Sequence, residues 1–573
     1  MSPRAQARGR VPPRGWTFDP PGTTATVAEL VVPARAQPDL PMDRIVLEEK
    51  PGPEAVEMDV VFVGGGPAGL AGAIELARLA RADGGELQIA VLEKGEGLGD
   101  HSLSGAVVDP AGFRELFPGT PDSEFPFRGP VTGERVYVLS KSRAWRIPAP
   151  PPMKNHGNFV ASLCEAVRWL GGKAEALGVN LFTGFPVESL LFEGDRVLGV
   201  RTAAAGRKRD GSPGPGYQPP TDLAAKVTAL CDGSRGSLSQ AWMRRLSIGS
   251  ANPQIFALGV KEVWEAREPL DGIVHTMGWP LPTDCFGGSF LYPMGGNRIA
   301  VGLVVGLDAP RTNVDVHALL QSLKTHPFVR ALLEGGECLE WGAKTIPEGG
   351  FHSLPERRHG PGAVLLGDAA GFVDVAALKG IHHAMRSGIA AARAIFGALK
   401  RGDATSPEAL AAYDAAMAES ETMKVLKRRR NLRLAFKSGF YAGGFKASLM
   451  TVTCGAFPGG RVATETDAET PREHVPAEPP PKVPGLTLTK TDGVFRAGNK
   501  TRDDVPSHLV VGKDVSPALA DLYASLCPAG VYERRGDALV VNPPNCVDCK
   551  ATDVLGPRWT PREGGSGPHY KEM

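Results

Sequence analysis

Met58 opens a stretch whose order of residue types leaves few folds available. Asp59-Val-Val-Phe-Val63 is an apolar run of buried-strand length, Gly64-Gly65-Gly66-Pro67-Ala68-Gly69 follows, and Leu70 to Ala80 carries a helical pattern. This is G-x-G-x-x-G with a strand before it and a helix after it, the context that gives the pattern meaning. Gly64 permits the tight turn, Gly66 lets backbone approach a pyrophosphate, and Gly69 allows close helix–strand packing. The helix start then offers free N–H groups and a positive dipole to phosphates. A second strand, Gln88 to Leu92, ends in Glu93, whose carboxylate falls where a ribose hydroxyl is bound in such units. The spacing predicts an α/β dinucleotide-binding domain.

Far downstream, the apolar strand Ala363 to Leu366 runs into Gly367-Asp368, and Lys379-Gly380-Ile381 opens a helix that extends to about Leu399. Cys231-Asp232-Gly233 follows another strand, Lys226 to Leu230. These three pieces in this order resemble FAD enzymes of the glutathione-reductase and hydroxybenzoate-hydroxylase type. That resemblance implies that Asp368 bonds the ribityl chain and that the helix start at Lys379, Gly380 and Ile381 faces the flavin, where its dipole favours the anionic reduced ring. Binding segments this far apart in sequence also require the residues between them to form a second domain.

A length of 573 residues suggests three or four domains. Lys plus Arg total 64 and Asp plus Glu 63, a net charge of +1, which argues against a nucleic-acid partner held by phosphate contacts. The eight cysteines are too sparse for a secreted disulfide scaffold, so a reducing compartment is expected. No stretch reaches the ~18 apolar residues needed to span a bilayer. The basic N-terminus, Met1 to Trp16, has no apolar segment of a secretory signal and reads as a disordered arm; Pro12 and Pro13 oppose an amphipathic transit helix.

Between 236 and 354 the sequence alternates strands and turns, with Ile255–Val260, Ser289–Tyr292 and Arg298–Val305 as strands. The paired Gly287 and Gly288 suit either a strand bend or close approach of a flat ligand. Two segments have the character of a bilayer-facing surface: His101–Val108 with Phe113, Leu116 and Phe117, and the basic then aromatic run from Lys427 to Met450. From about Gly485 the chain changes again. Cys527-Pro528 precedes Cys546-Val-Asp-Cys549, and Thr552 stands where the regular C-x2-C-x2-C of an iron–sulfur site has its next cysteine. Three thiolates leave three outcomes: a 3Fe–4S cluster, a 4Fe–4S cluster completed by an oxygen ligand such as Asp548 or Asp553, or no cluster.

The chain resembles the electron-transfer flavoprotein–ubiquinone oxidoreductase family from about Met42 to Met573. The stretches that carry this include Pro150–Asn158, Gly278–Leu281, Gly287–Tyr292, Gly302–Leu307, Glu348–Phe351, Cys527–Glu533 and Glu563–Pro568. The resemblance implies a peripheral membrane enzyme with FAD, one 4Fe–4S cluster and ubiquinone, accepting electrons from reduced electron-transfer flavoprotein. On this reading Gly64, Gly66, Gly69 and Glu93 hold the ADP half of FAD; Asp368, Lys379, Gly380 and Ile381 serve the flavin half. Gly287 and Gly288 contact quinone, and Cys527, Cys546 and Cys549 bind iron. No side chain is required as general acid or base.

The implied organisation is an N-terminal extension (1–50), an FAD domain in two parts (51–235, with an insertion, and 355–420), a β-rich quinone domain (236–354), a membrane-surface segment (421–484) and a ferredoxin-like module (485–573). The expected location is the cytoplasmic face of a bacterial inner membrane, or the matrix face in a mitochondrion. The alternatives are a geranylgeranyl-reductase-like flavoprotein, which lacks such a C-terminal module, and a non-catalytic flavoprotein that has lost its cluster.

Overall fold

The computed structural model describes residues 29–573, so the basic arm at Met1 to Trp16 lies outside the described residues. The strand–turn–helix unit sits at the centre of a nine-stranded sheet. Val56–Val63 runs parallel to Ile89–Glu93 on one side and to Asp222–Leu230 on the other. Asn180–Thr183 and Ala363–Leu365 extend the parallel run outward. Val60, Val61, Phe62 and Val63 are all buried, which is what an unbroken apolar strand achieves only when both sheet faces are covered.

The helix Pro67–Ala82 starts earlier than its apolar pattern, because Pro67 occupies the first turn, where a missing N–H costs nothing. It packs beside Ile381–Arg401. That second helix stops at Gly402, whose φ of +72° is the left-handed cap, with Lys400 and Arg401 on the negative end of the dipole.

A second sheet of seven strands stands against this domain, in the order Glu337–Pro347, Phe256–Glu265, Arg298–Gly306, Gly287–Pro293, Ile273–Gly278, Glu134–Leu139, Ala144–Ile147. Its last two strands come from within 51–235, the first part of the FAD domain, where the sequence calls for an insertion. All neighbours are antiparallel except Ile273–Gly278 with Glu134–Leu139. The helix Val316–Thr325 is fastened beneath by a fully buried pair, Lys324 Nζ to Glu262 Oε2 at 2.8 Å, with Gln321 and Trp264 donating to the same carboxylate. Such a pair survives burial because the carboxylate also accepts from two further donors.

The C-terminal residues do not stand apart. The helix Pro517–Leu526, the hairpin Tyr532–Arg535 with Ala538–Val541, and Trp559 and Tyr570 share one hydrophobic core with Phe256, Val260 and Trp341 of the second sheet. The Met573 carbonyl accepts from the backbone N–H groups of Leu163 (2.9 Å) and Cys164 (3.2 Å), tying the chain end to the first domain.

The two segments expected to face a bilayer separate cleanly. Ala106 to Val108, Phe113 and Leu116 are buried, with Phe113 ringed by Phe125, Phe127 and Trp169, so most of the apolar part of the first segment is interior rather than surface. Its aromatic content serves the core, a distinction composition cannot make. In the second, the helix Phe440–Val452 leaves Tyr441 79% and Phe445 69% exposed. Among the described residues no helix is long and apolar enough to cross a membrane.

Candidate functional site

The glycine turn is constrained by backbone on both sides. Gly64 has φ +120°, and a Cβ there would lie 2.3 Å from the Cys231 carbonyl oxygen; one on Gly69 would lie 2.2 Å from the Gly64 carbonyl oxygen. Nothing stands within 4 Å of the Cβ position of Gly66, so the helix start opens onto free space. Glu93 closes the other edge of this cleft, its Oε2 accepting from Gly65 N at 3.0 Å and its Oε1 from Gly95 N at 2.8 Å. Asp232, in the third of the sequence motifs, caps the next helix by accepting from Leu238 N at 3.1 Å and Ser239 N at 3.2 Å.

The cleft continues into a cavity of about 290 Å³. Gly66, Asp368, Lys379, Gly380 and Ile381 line it from the first domain, and Phe290, Tyr292, Lys261 and Lys344 line it from the second sheet. Burial pushes the Asp368 carboxyl up to about 6, with the Lys344 ammonium acting in the opposite sense. Burial lowers the Lys379 ammonium to about 8, although its Nζ donates to the Asn155 side-chain oxygen. Lys261 Nζ is buried without a hydrogen-bond partner.

A glycine corner under one helix start, the half-buried Asp368 carboxyl, and a second helix start at the far end fit FAD laid from Glu93 to Ile381. The sequence reading found the first-domain half of this lining. It missed Tyr292, whose hydroxyl lies 2.6 Å from His275 Nε2, and its stacked neighbour Phe290. Strand alternation from Gly288 places Phe290 and Tyr292 on one face, which was the available signal.

Gly287 and Gly288 do not line this cavity. They start their strand beside Phe286, whose ring lies 4.0 Å under the Arg433 guanidinium and 5.3 Å from Phe436. Arg433 is buried between Glu348 and Asp308, each at 2.7 Å, and so fixes the segment leading into the exposed helix Phe440–Val452. The two glycines therefore belong to the end of the sheet nearest that helix.

The cysteines come together. Cys527, at the end of the helix Pro517–Leu526, lines one small buried cavity with Cys546, Cys549 and Thr552. Tyr532 also lines it, its hydroxyl 3.5 Å from Thr552 Oγ1. The loop is held to the second sheet by Thr345, whose backbone N–H (3.0 Å) and hydroxyl (2.6 Å) both donate to the Cys549 carbonyl. Burial pushes the Cys549 thiol up to about 12, so thiolates there require a metal to displace their protons. Three converging sulfurs fit an iron–sulfur cluster at three of its corners.

Neither expected carboxylate supplies the fourth. Asp548 is bound by Lys94 at 2.5 Å, Arg562 at 3.1 Å and Trp559 Nε1 at 3.2 Å. Asp553 is bound by Arg235 Nε at 2.9 Å and Trp559 N at 2.7 Å. Lys550 and Trp559 line both the cysteine cavity and the nucleotide cleft, so the two sites share a wall.

Two family models match parts of the chain. Residues 256–346 match the family model for the ubiquinone-binding domain of ETF-QO, and residues 485–571 match that for the 4Fe-4S domain of electron transfer flavoprotein-ubiquinone oxidoreductase. The mitochondrial electron transfer flavoprotein-ubiquinone oxidoreductase of Oryza sativa subsp. japonica is 37% identical over 91% of this chain and 94% of its own length. The Homo sapiens protein of the same name is 35% identical over 91% and 90%. Among solved structures, a geranylgeranyl bacteriochlorophyll reductase-like protein from Thermoplasma acidophilum superposes with a TM-score of 0.55, at 19% identity, over 69% of this chain and 92% of that one, which shows a shared fold alone. With relatives this similar over nearly their whole length, the chain belongs to the electron transfer flavoprotein–ubiquinone oxidoreductase family.

Proposed function

We propose that this chain takes electrons from reduced electron-transfer flavoprotein and delivers them to ubiquinone through FAD, with an iron–sulfur cluster beside it. The observation that carries this reading is the single cavity that the FAD-domain residues Asp368, Gly380 and Ile381 share with Phe290 and Tyr292 of the sheet matched as ubiquinone-binding. Bound there, FAD supplies the exchange between one-electron and two-electron chemistry.

The chain's own residues then have positioning roles. Gly64, Gly66 and Gly69 admit the pyrophosphate to the start of Pro67–Ala82, and Glu93 accepts from the ribose. Asp368 receives the ribityl hydroxyls, and the start of Ile381–Arg401 puts its positive dipole against the ring edge that gains charge on reduction. Phe290 and Tyr292 keep water from the ring's face. Cys527, Cys546 and Cys549 would hold iron on the far side of the Lys550 and Trp559 wall that their cavity shares with the nucleotide cleft. Gly287 and Gly288 let quinone approach the sheet end that faces Phe440–Val452.

That helix makes the membrane contact on this reading. Tyr441 and Phe445 enter the interface while Lys437 and Lys446 remain exposed beside them for anionic headgroups. The enzyme then sits peripherally on the cytoplasmic face of a bacterial inner membrane, or on the matrix face in a mitochondrion.

The test is reduction of a ubiquinone analogue by the purified FAD-loaded protein with reduced electron-transfer flavoprotein as donor. Turnover supports the reading. Absence of turnover with FAD bound points instead to a flavoprotein that binds without catalysis.

A further inference from the structure

We propose that the cluster of this chain is a three-iron one: Cys527, Cys546 and Cys549 hold a 3Fe–4S cluster, and the corner at Thr552 retains no iron. The inference rests on the cluster site of the proposed function and departs from the four-iron form that the family model names.

Thr552 sits in the first turn of Ala551–Leu555 and lines the same cavity as the three cysteines, so the missing ligand leaves a specific place rather than a diffuse gap. What occupies that place is a pair of neutral hydroxyls, Thr552 Oγ1 and Tyr532 Oη, 3.5 Å apart. Iron in these clusters is held by soft, anionic thiolates, and a neutral aliphatic alcohol is a poor replacement.

Every anionic or imidazole candidate nearby is committed or misplaced. The Asp548 carboxylate is surrounded by Lys94, Arg562 and Trp559, and that of Asp553 by Arg235 and the Trp559 backbone. Turning either one inward would strand buried cations. His508 is the strongest rival: it is buried, its Nε2 has no hydrogen-bond partner, and it lies with Asp548 close to Cys546 Sγ. It does not, however, line the cavity that the three cysteines and Thr552 enclose. None of the other five cysteines lines that cavity.

Among the described residues, an iron placed at the open corner therefore has no protein anion to retain it. Its departure is balanced without a further reactant: a 4Fe–4S core of charge +2 releases Fe2+ and leaves a 3Fe–4S core of charge zero. That core exchanges one electron between its zero and +1 states, so the site still handles electrons singly beside the flavin.

The experiment is anaerobic purification of the full chain with FAD bound, a chelator wash, and then iron, acid-labile sulfide and FAD analysis with EPR of the ferricyanide-oxidised protein. The expected result is about three irons and about four sulfides per FAD, with the near-isotropic signal of an oxidised three-iron cluster. Thr552→Cys should raise iron to about four per FAD and exchange that signal for one seen only after reduction. Four irons per FAD in the washed wild type overturn the proposal, and a fall to three in His508→Ala would then identify the overlooked ligand. Iron-free protein with FAD bound overturns it as well. None of these readouts depends on quinone turnover, so a three-iron protein that fails to reduce quinone would sink the function and leave the cluster assignment standing.

Discussion

The nucleotide cleft and the cysteine cavity share the wall of Lys550 and Trp559 yet are made of different materials. The cleft is largely backbone: Gly64 and Gly69 without room for a Cβ, and two helix starts facing a long groove. The cavity is side chains on short loops, fixed in place by Thr345 and by the core they share with the second sheet. A backbone-built site fails as a whole when a single atom is added. A side-chain-built site can lose one ligand and become a different site.

That contrast breaks most sharply at Gly69. Gly69→Val would force a side chain into the Gly64 carbonyl, and we expect a loss of about 4 kcal/mol or more of stability together with bound FAD, read by denaturant melts and flavin absorbance. Retention of normal FAD content would show that the turn relaxes and that the cleft is softer than its geometry. Cys549→Ser is the counterpart in the cavity: most of the iron should go while FAD per chain stays near wild type. Loss of both together would mean the two sites fold as one.

Asp368 gives an intermediate effect with a definite sign. Its folded-state value of about 6 stands above the unfolded 3.8, so the folded protein holds this proton more tightly. In FAD-free protein that contribution favours folding below the unfolded value and is lost as pH rises through about 6, a change of about 3 kcal/mol at most. Asp368→Asn should flatten this part of the stability curve between pH 4 and pH 7, and an unchanged curve would remove the group from the cleft's energetics.

Glu93→Ala removes an acceptor of charged type worth about 1.5–3 kcal/mol, so FAD should bind about 10- to 100-fold more weakly, measured by titration of the FAD-free protein. The smallest effect belongs to the surface. Phe445→Ser should lower sedimentation with anionic vesicles by a few-fold and leave FAD and iron untouched.

Legibility followed the same division of materials. Gly64 and Gly69 could be read because only glycine satisfies the positive φ of the first and the sub-van-der-Waals approach at both, and the flanking strand and helix gave the motif, Gly66 included, its setting. Asp368 and Gly380 could be read because a strand end and a helix start bracket them. Lys344 could not, since it comes from the second sheet and meets the cleft only through tertiary packing; for Tyr292 the sequence showed a face shared with Phe290 but not what that face meets. His101–Val108 misled because apolar residues suit a core as well as a membrane. Asp548 and Asp553 misled because sequence proximity to a cysteine says nothing about the cations that arrive from Lys94, Arg235 and Arg562.

Sequence by itself determined the dinucleotide unit, its flavin-side partner segments, and the shortage of one thiolate at Thr552. These are local properties: backbone dihedrals, free helix ends and ligand chemistry are written within a few residues. The tertiary structure alone decided that the cysteines share one cavity, that their neighbouring carboxylates are already paired, and that this cavity abuts the nucleotide cleft. Those facts depend on which distant side chains burial brings into contact, and no short-range pattern records them.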